Sequence, residues 1–320
     1  MTRALLVDPH FSSVPIRQAL TDHGIDVATV GRNLTGGLCR DHFDIDYSDR
    51  AAMRALLQRE RFDYLIPGCT DKSYESCSAL AADWDFPALD SPEIFDQLYS
   101  KSKFRGLCQA LAIRVPHVFA SQREALQSDV AVIIKPDDAH SGIGITRLDL
   151  PTTTSLSKAV SVARKCSTSG RVIIEEYVHG QLYSYSAFLQ DRRVHCAFNV
   201  AEYGTLNPFA VDASYVLPTN SHELELESFA EKIANELGLE CGLLHIQYLA
   251  TNSDICLVEA TRRCPGDLYS MLVTRSTGFP YAEAFGAPFI DQPISEIKSK
   301  MFHRYLIRHT VSRQTFKLIG

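Results

Sequence analysis

The first 90 residues alternate between short apolar runs and segments whose apolar positions recur every three or four residues. The runs ALLV, IDVATV and DYLIPG are typical of strands, and IRQALTDHG, DRAAMRALLQRE and YESCSALAADW follow them with a helical period. Strands and helices in alternation predict a small parallel sheet that is covered on both faces. Ligands of such sheets bind beyond the carboxyl ends of the strands, which directs attention to Asp8 after the first strand and to Gly68, Thr70, Asp71 and Ser73 after the third.

Residues 115–178 show a second alternation, of strand, helix, strand, helix and strand. The strands AVIIKP and RVIIEEYV are the clearest, and an amphipathic helix over 155–166 lies between them. This content predicts a compact lid. Further strands follow at YSYSAFL and RVHCAFNV, and the helix LELESFAEKIANEL ends before Gly238.

Two apolar runs near residue 250, HIQYLA and ICLVEA, flank the polar cluster TNSD and predict an antiparallel hairpin. Because side chains alternate along a strand, Glu259, Thr261 and Arg263 should share one face. Gln247 joins that face if the hairpin pairs it with Glu259, which centres the turn on Ser253 and gives a loop of three or five residues. A slip of one residue in the pairing would turn Gln247 away.

The composition is that of an ordinary soluble globular protein, with 45% hydrophobic and 22% charged residues in a chain of 320. A formal net charge of -6 argues against a sequence-independent nucleic-acid role, which needs a basic face. The first apolar run is too short for a signal peptide and no run approaches a membrane-spanning length, so we expect a cytoplasmic protein without a membrane partner. The nine cysteines include no C-x-x-C pair, which predicts neither a disulfide framework nor a zinc site.

Two short motifs suit a nucleotide. In IIKPDDAHSGIGI, Lys135 ends an apolar strand, and the two glycines that follow would let backbone N–H groups approach an anion closely. This is not a Walker A loop, and G-x-G alone more often marks a hairpin turn. In VIIEEYV, the strand backbone could bond an adenine edge while Tyr177 and Val178 supply apolar walls, although by itself this is a strand with an acidic end.

In their order and spacing, KSKFRGL, IIKPDDAHSGIGI, IIEEYVHG and the hairpin resemble the ATP-grasp superfamily over essentially the whole chain. The resemblance implies an α/β fold in which a small N-terminal parallel α/β domain precedes two lobes that clamp ATP. The implied domains are 1–98, 99–178 for the small lobe or lid, and 179–320 for the lobe with the metal and catalytic hairpin.

The resemblance also assigns roles to individual residues. The implied nucleotide-binding residues are Lys101, followed by Arg105, then Lys135 with Ser141, Gly142 and Gly144 over the phosphates, and Glu175, Glu176 and Val178 at the nucleotide. The implied magnesium ligands are Gln247, Glu259 and Thr261, and the implied catalytic residues are Glu259 and Arg263, which stabilises the transferred phosphate.

Three positions depart from the family pattern. Thr261 stands where the family usually has asparagine, and Gln247 stands where an acid is commoner. Together these two changes lower the anionic charge around the metal. Leu182 replaces a glutamate that binds the ribose, so the ribose contact either comes from elsewhere, with Glu176 and Gln181 as candidates, or is weaker than in the family.

The resemblance implies an ATP- and magnesium-dependent ligase, which activates a carboxylate as an acylphosphate, joins it to an amine and releases ADP and phosphate. The alternatives are a small-molecule phosphotransferase and a catalytically weakened ATP-binding regulatory or interaction protein, which Thr261 and Leu182 favour. We expect small-molecule carboxylate and amine substrates and no nucleic-acid partner, and a homodimer stays open. The candidate substrate contacts are Tyr203, Asn207, Asp212, Tyr215, Asp267, Tyr269 and Arg275.

Overall fold

A computed structural model describes residues 2–33, 41–139, 142–218, 221–251, 254–294 and 308–309. Within these ranges the chain forms three β-sheets with helices on their faces. The strands are β1 Arg3–Val7, β2 Asp26–Val30, β3 His42–Phe43, β4 Tyr64–Pro67, β5 Val132–Pro136, β6 Thr146–Leu148, β7 Val172–Glu176, β8 Gln181–Gln190, β9 Arg193–Tyr203, β10 Ala213–Val216, β11 Gly242–Ala250, β12 Ile255–Thr261 and β13 Arg308–His309. The α-helices are α1 Val14–Asp22, α2 Arg50–Arg59, α3 Asp71–Ala81, α4 Pro92–Tyr99, α5 Lys101–Ala110, α6 Gln122–Leu126, α7 Thr153–Cys166, α8 Glu223–Leu237, α9 Tyr269–Thr277 and α10 Tyr281–Gly286, and short 3₁₀ helices cover Phe11–Ser13 and Ala287–Ile290.

The N-terminal sheet has the strand order β3-β2-β1-β4, and all of its pairs are parallel. Successive residues of β1 face opposite sides: Leu5 packs with residues of α2 and α3, whereas Leu6 packs with residues of α1. The predicted parallel sheet with both faces covered is therefore confirmed. The strand β3 was not predicted, because two residues are too few to show a period.

The second sheet has the order β6-β5-β7 and is antiparallel, with the apolar face of α7 packed against it. The glycine-containing loop joins β5 to β6, so it is the loop of a hairpin. The strand β6 was missed because three half-exposed residues carry little hydrophobic signal. The first strand predicted for residues 115–178 makes only an isolated bridge, from Val118 to Glu175.

The third sheet has the order β12-β11-β8-β9-β10-β13 and is antiparallel. One face carries Tyr185, Leu244 and Ile246 and packs against α5 and α8. On the opposite face, Phe188 and Phe198 pack against residues of α9 and α10. The same face also carries a group of polar side chains that form the candidate site described below, namely Ser184, Ser186, Glu202, His245, Gln247, Glu259 and Thr261.

Two helix caps place polar residues at the edge of this site. The Ser100 side chain accepts a hydrogen bond from a backbone N–H in the first turn of α5 and so begins that helix at Lys101. The Thr70 side chain does the same for α3, which begins at Asp71. In the described part of the chain, no helix is long and apolar enough to cross a membrane. The predicted domain limits, 1–98, 99–178 and 179–320, stay a prediction.

Candidate active site

The hairpin β11–β12 pairs Gln247 directly with Glu259, and of the two registers that the sequence left open this is the one that puts Gln247 on the shared face. One residue further along β11 the register changes, so that Tyr248 lies opposite Leu257 and Val258 is an extra, bulged residue. The loop TNSD consequently has four residues, and the prediction of three or five was wrong because it assumed an unbroken ladder.

Arg105, Glu175 and Lys135 form a buried ion cluster beside this bulge. Arg105 Nε lies 2.6 Å from Glu175 Oε1, and Lys135 Nζ lies 2.7 Å from Glu175 Oε2. Arg105 also donates through Nη1 to the bulged carbonyl of Val258, at 2.6 Å. Burial alone would raise the pKa of Glu175, but the charges and hydrogen bonds of Lys135 and Arg105 outweigh it and lower the pKa to about 2. The Glu175 side chain therefore orients Lys135, and a nucleotide contact at Glu175 would use its backbone.

Lys101 lies at the base of the glycine-containing loop. Its Nζ donates to the carbonyl oxygen of Ala139 at 2.7 Å. Burial lowers the pKa of Lys101, and the positive charges of Lys135 and Arg105 lower it further, against the attraction of Glu259. The Lys101 backbone N–H also donates to the carbonyl oxygen of Asp137, two residues after Lys135, at 3.2 Å. Arg105, one turn along α5 from Lys101, contacts the residue before Glu259, so the two predicted phosphate-binding lysines and the hairpin glutamate lie in one region.

Asp137, which the sequence reasoning did not single out, ties the loop to α5. Its carboxylate accepts hydrogen bonds from the backbone N–H of Ser102 and from the Ser100 hydroxyl, both at 2.8 Å. Asp138 accepts from the hydroxyls of Ser167 and Thr168 on the other side. In the sequence, two consecutive acids after Lys-Pro were the feature that could have indicated this role. Both side chains hold the base of the loop in place through hydrogen bonds to the protein.

Gly142 and Gly144 both have a φ of +72°. A Cβ on Gly142 would lie 2.6 Å from the carbonyl oxygen of Phe209, and one on Gly144 would lie 2.7 Å from Cys166 Cβ. Both positions therefore require glycine, and the loop approaches the connection between β9 and β10 through backbone atoms. Ser141, the third predicted phosphate contact here, lies outside the described residues.

The predicted adenine-binding residues border an open space. Val178 and Glu176 line a cleft of about 640 Å³. Glu176 Oε1 accepts from the His117 backbone N–H at 3.0 Å. Gln181 Nε2 donates to the carbonyl oxygens of Leu182 and Glu202. Both candidates for the ribose contact are thus already hydrogen-bonded to the main chain.

Arg263 forms a two-point ion pair with Asp71, the first residue of α3. Burial alone would lower the pKa of Arg263, but the Asp71 carboxylate raises it strongly and Glu259 adds to this effect. The Thr261 hydroxyl accepts from the Arg263 backbone N–H at 3.3 Å. Glu259 is half-buried, and its carboxylate makes no hydrogen bond or ion pair with the described residues.

The hairpin face offers oxygen donors of the kind that magnesium prefers. They are the Glu259 carboxylate, the Thr261 hydroxyl and the Gln247 side-chain oxygen, since Gln247 Nε2 donates to Glu202 Oε2 at 2.7 Å. Over the described ranges, no three His, Cys, Asp or Glu side chains cluster in a way that could hold a metal alone. This donor set fits magnesium that takes its remaining ligands from nucleotide phosphates and water.

Comparisons with known proteins agree with this arrangement. Residues 128–270 match the family model of the ATP-grasp domain. The chain has the fold of the ATP-grasp superfamily. Its fold is similar to that of phosphoribosylglycinamide synthetase from Anaerococcus prevotii, with a TM-score of 0.72 and 15% identity over 91% of this chain and 76% of that one. No curated protein sequence matches significantly.

Two further solved structures share the ATP-grasp fold. The L-amino acid ligase from Bacillus licheniformis has a TM-score of 0.74 and 14% identity, over 90% of this chain and 74% of that one. The biotin carboxylase domain of 2-oxoglutarate carboxylase from Hydrogenobacter thermophilus, solved with ADP and magnesium, has a TM-score of 0.78 and 12% identity, over 96% and 73%. At these identities the likeness establishes the fold alone.

Some of the predicted substrate contacts lie outside the site. Tyr203 follows Glu202 on β9, so its side chain points to the opposite face of the sheet, where its ring stacks on Tyr215 at 6.0 Å. Asp212 accepts from the backbone N–H groups of Thr205 and Leu206 and stabilises its own loop. Tyr269 does lie on the site face.

The hydroxyl of Tyr269 lies 3.0 Å from Ser184 Oγ and 3.2 Å from Ser186 Oγ. Ser186 Oγ is also 2.8 Å from Nδ1 of His245, which is buried and so has the satisfied environment expected of a core histidine. This hydrogen-bond network lies on the site face beside the proposed metal ligands, because Ser184 is opposite Gln247. The sequence feature that could have predicted this network is the pair of serines at alternate positions of YSYSAFL, Ser184 and Ser186.

Proposed function

We propose that this ATP-grasp chain is an ATP- and magnesium-dependent ligase that joins a carboxylate to an amine and forms ADP and phosphate. The observation that carries the proposal is the convergence of Lys101 of α5, Lys135 of β5 and the hairpin residues Glu259 and Arg263 at the β12 edge of the third sheet. Two lysines suit the phosphates of ATP, and a carboxylate beside an arginine suits the transfer of the terminal phosphate. The proposed site acts in the cytoplasm on small molecules, without a nucleic-acid or membrane partner.

The lysines bind the nucleotide before any chemistry. Lys135 is held by Glu175 and Lys101 by the base of the glycine loop, so both ammonium groups are positioned when ATP arrives. Glu259, Gln247 and Thr261 would hold magnesium, which when bound neutralises charge on the phosphate oxygens. The loop with Gly142 and Gly144 would exclude water from the transfer.

Transfer then takes place between ATP and the substrate acid. A carboxylate oxygen of the substrate attacks the terminal phosphorus, the bond to the bridging oxygen breaks, and ADP leaves. Nε and Nη2 of Arg263 are paired with Asp71, so the remaining N–H groups of the guanidinium would face the oxygens on which charge accumulates. The amine nitrogen next attacks the acyl carbon, loses a proton and expels phosphate, which gives the amide.

A screen for ADP release tests this proposal. Carboxylates are combined with pooled amines in the presence of ATP and magnesium, starting with amino acids because one similar structure is an L-amino acid ligase. A ligase releases ADP and phosphate only when both substrates are present. AMP and pyrophosphate as products would contradict the proposal, and a stable phosphorylated product from one substrate would favour a phosphotransferase.

The second candidate function is an ATP-binding regulatory or interaction protein without turnover. Its support is the metal site, where Gln247 and Thr261 leave Glu259 as the only carboxylate on the paired hairpin face. Calorimetry distinguishes it from the ligase. Binding of magnesium and ATP without hydrolysis under any substrate pair would favour the regulatory protein.

A further inference from the structure

Glu202 is an acid that lies next to the proposed metal site without belonging to the hairpin. It is 4% exposed and projects from β9, which is separated from β11 by β8. The residue of β8 opposite Gln247 is Ser184, whose short side chain leaves room above the sheet. The longer side chains of Gln247 and Glu202 meet across it, with Gln247 Nε2 donating to Glu202 Oε2 at 2.7 Å.

This contact selects one orientation of the Gln247 amide. A carboxylate has no hydrogen to donate, so it can pair only with the NH₂ end of the amide. The carbonyl oxygen Oε1 is then the Gln247 atom left for a cation. If the amide turned over, it would direct two N–H donors toward a positive ion, which is unfavourable.

We propose that Glu202 is a positioning residue for the metal site, an inference that rests on the proposed function. It fixes the amide of Gln247 with Oε1 available to magnesium. It also brings a carboxylate to hydrogen-bond distance of Gln247. The paired hairpin face carries one carboxylate, that of Glu259. The second carboxylate near the site is that of Glu202, on β9, two strands away from Gln247.

Because Glu202 is buried, its hydrogen bond with Gln247 contributes to the stability of the site. A buried carboxylate is costly unless it is hydrogen-bonded, and a charge-assisted bond to an amide is stronger than a neutral one. The same bond therefore stabilises Glu202 and restrains Gln247. Gln181 holds the strand position of Glu202, since its Nε2 donates to the Glu202 carbonyl oxygen at 2.7 Å.

Metal binding with a non-hydrolysable ATP analogue tests the role without any substrate. Manganese replaces magnesium so that bound ion is read by electron paramagnetic resonance, and calorimetry measures the analogue alone. Glu202→Gln should weaken manganese binding to the protein–nucleotide complex at least tenfold and leave metal-free nucleotide affinity within twofold. Gln247→Glu should also weaken it, because two carboxylates would then face each other and share a proton.

The exchange variant, Glu202→Gln with Gln247→Glu, decides the matter. It keeps the hydrogen bond and the net charge but moves the acid to β11, so manganese affinity should return to within threefold of the wild type. The matched control is Glu231→Gln, which removes a carboxylate bonded to the Val194 N–H at the far end of the same strand and should change nothing. Thermal unfolding of each variant confirms that it is folded.

Unchanged manganese affinity in Glu202→Gln, or an exchange variant no better than the single variants, would overturn the inference. Neither of these results would contradict the ligase proposal. The converse result is also possible: the wild-type protein binds manganese and the analogue but releases no ADP with any substrate pair. That result would contradict the ligase proposal and leave the role of Glu202 unchanged.

Discussion

Arg263 and Asp71 are joined at two points, Nε to Oδ1 at 2.5 Å and Nη2 to Oδ2 at 3.2 Å. The pair connects the end of β12 to the first residue of α3, which is 192 residues away in the sequence. Helix α3, which follows the last strand of the N-terminal sheet, thus contributes directly to the orientation of the proposed catalytic arginine. The expectation that ligands gather beyond the strands of that sheet pointed to Asp71, but not to its partner.

The preceding residue, Arg262, makes a similar pair with a different consequence. Its Nε donates to Asp90 at 2.9 Å, and its other nitrogens donate to the carbonyl oxygens of Leu243 and Glu240. Arg262 and Asp90 are 4% exposed each, and Tyr74 also donates to Asp90. Arg262 is therefore a structural residue, whereas the half-buried Arg263 faces the site.

Asp71→Asn should separate these two roles when it is compared with Asp90→Asn. Loss of the Asp71 charge frees Arg263 from its fixed orientation, so we expect kcat to fall by about 10- to 100-fold, in line with the cost of misplaced catalytic groups. Asp90→Asn leaves a buried arginine uncompensated and should cost about 3–5 kcal/mol of stability. ADP release and urea unfolding measure the two effects.

The opposite pattern, a large loss of stability in Asp71→Asn with unchanged kcat, would show that the Asp71 pair only joins the two regions. Asp90→Asn serves as the control, since the protein that remains folded should keep its kcat. Measurements below the unfolding transition of each variant keep stability and activity apart.

Lys135→Ala and Glu259→Ala should affect different steps. Lys135 is proposed to contact the phosphates directly, so its loss should weaken ATP binding by about 100-fold, a cost of roughly 2.7 kcal/mol. Glu259→Ala should spare much of the binding but stop ADP formation. Calorimetry and the ADP assay give both readings, and full activity in Glu259→Ala would show the metal assignment to be wrong.

The paired face of the hairpin was predictable because alternation along two strands depends only on local sequence. The bulge at Val258 was not predictable, because the residues around Val258 contain no sequence feature that indicates a bulge. Arg105, 153 residues earlier, binds the bulged carbonyl. Glu202 was missed for the same kind of reason: it is one acid in an apolar strand, and only the strand order brings it to Gln247. Local pattern thus predicts faces, and long-range contacts set the register and the partners.

Acid should destabilise the protein partly through Glu175. Its pKa in the folded chain, about 2, lies below its ordinary value of 4.5. The ionised form therefore stabilises the fold fully above pH 4.5, and this contribution is lost as pH falls toward 2. The shift corresponds to roughly 3 kcal/mol.

Urea unfolding of the wild type and of Glu175→Gln between pH 7 and pH 3 measures this contribution. The variant should be less stable at pH 7, because Lys135 and Arg105 lose the charge of their shared partner. Its stability should also fall less steeply below pH 4.5. Parallel curves for the two proteins would assign the acid sensitivity to other carboxylates.

Gly144→Ala should cost more stability than Gly170→Ala, although both glycines have a φ of +72°. A Cβ at position 170 meets no atom within 4 Å, so that variant carries only the left-handed backbone penalty of about 1–2 kcal/mol. At position 144 the added carbon lies 2.7 Å from Cys166 Cβ and displaces the loop from α7. Because the loop is proposed to cover the phosphates, Gly144→Ala should also weaken ATP binding, and Gly170→Ala should not. Thermal unfolding and nucleotide calorimetry on both variants compare the two effects, and equal losses at the two positions would mean that the contact with Cys166 does not hold the loop.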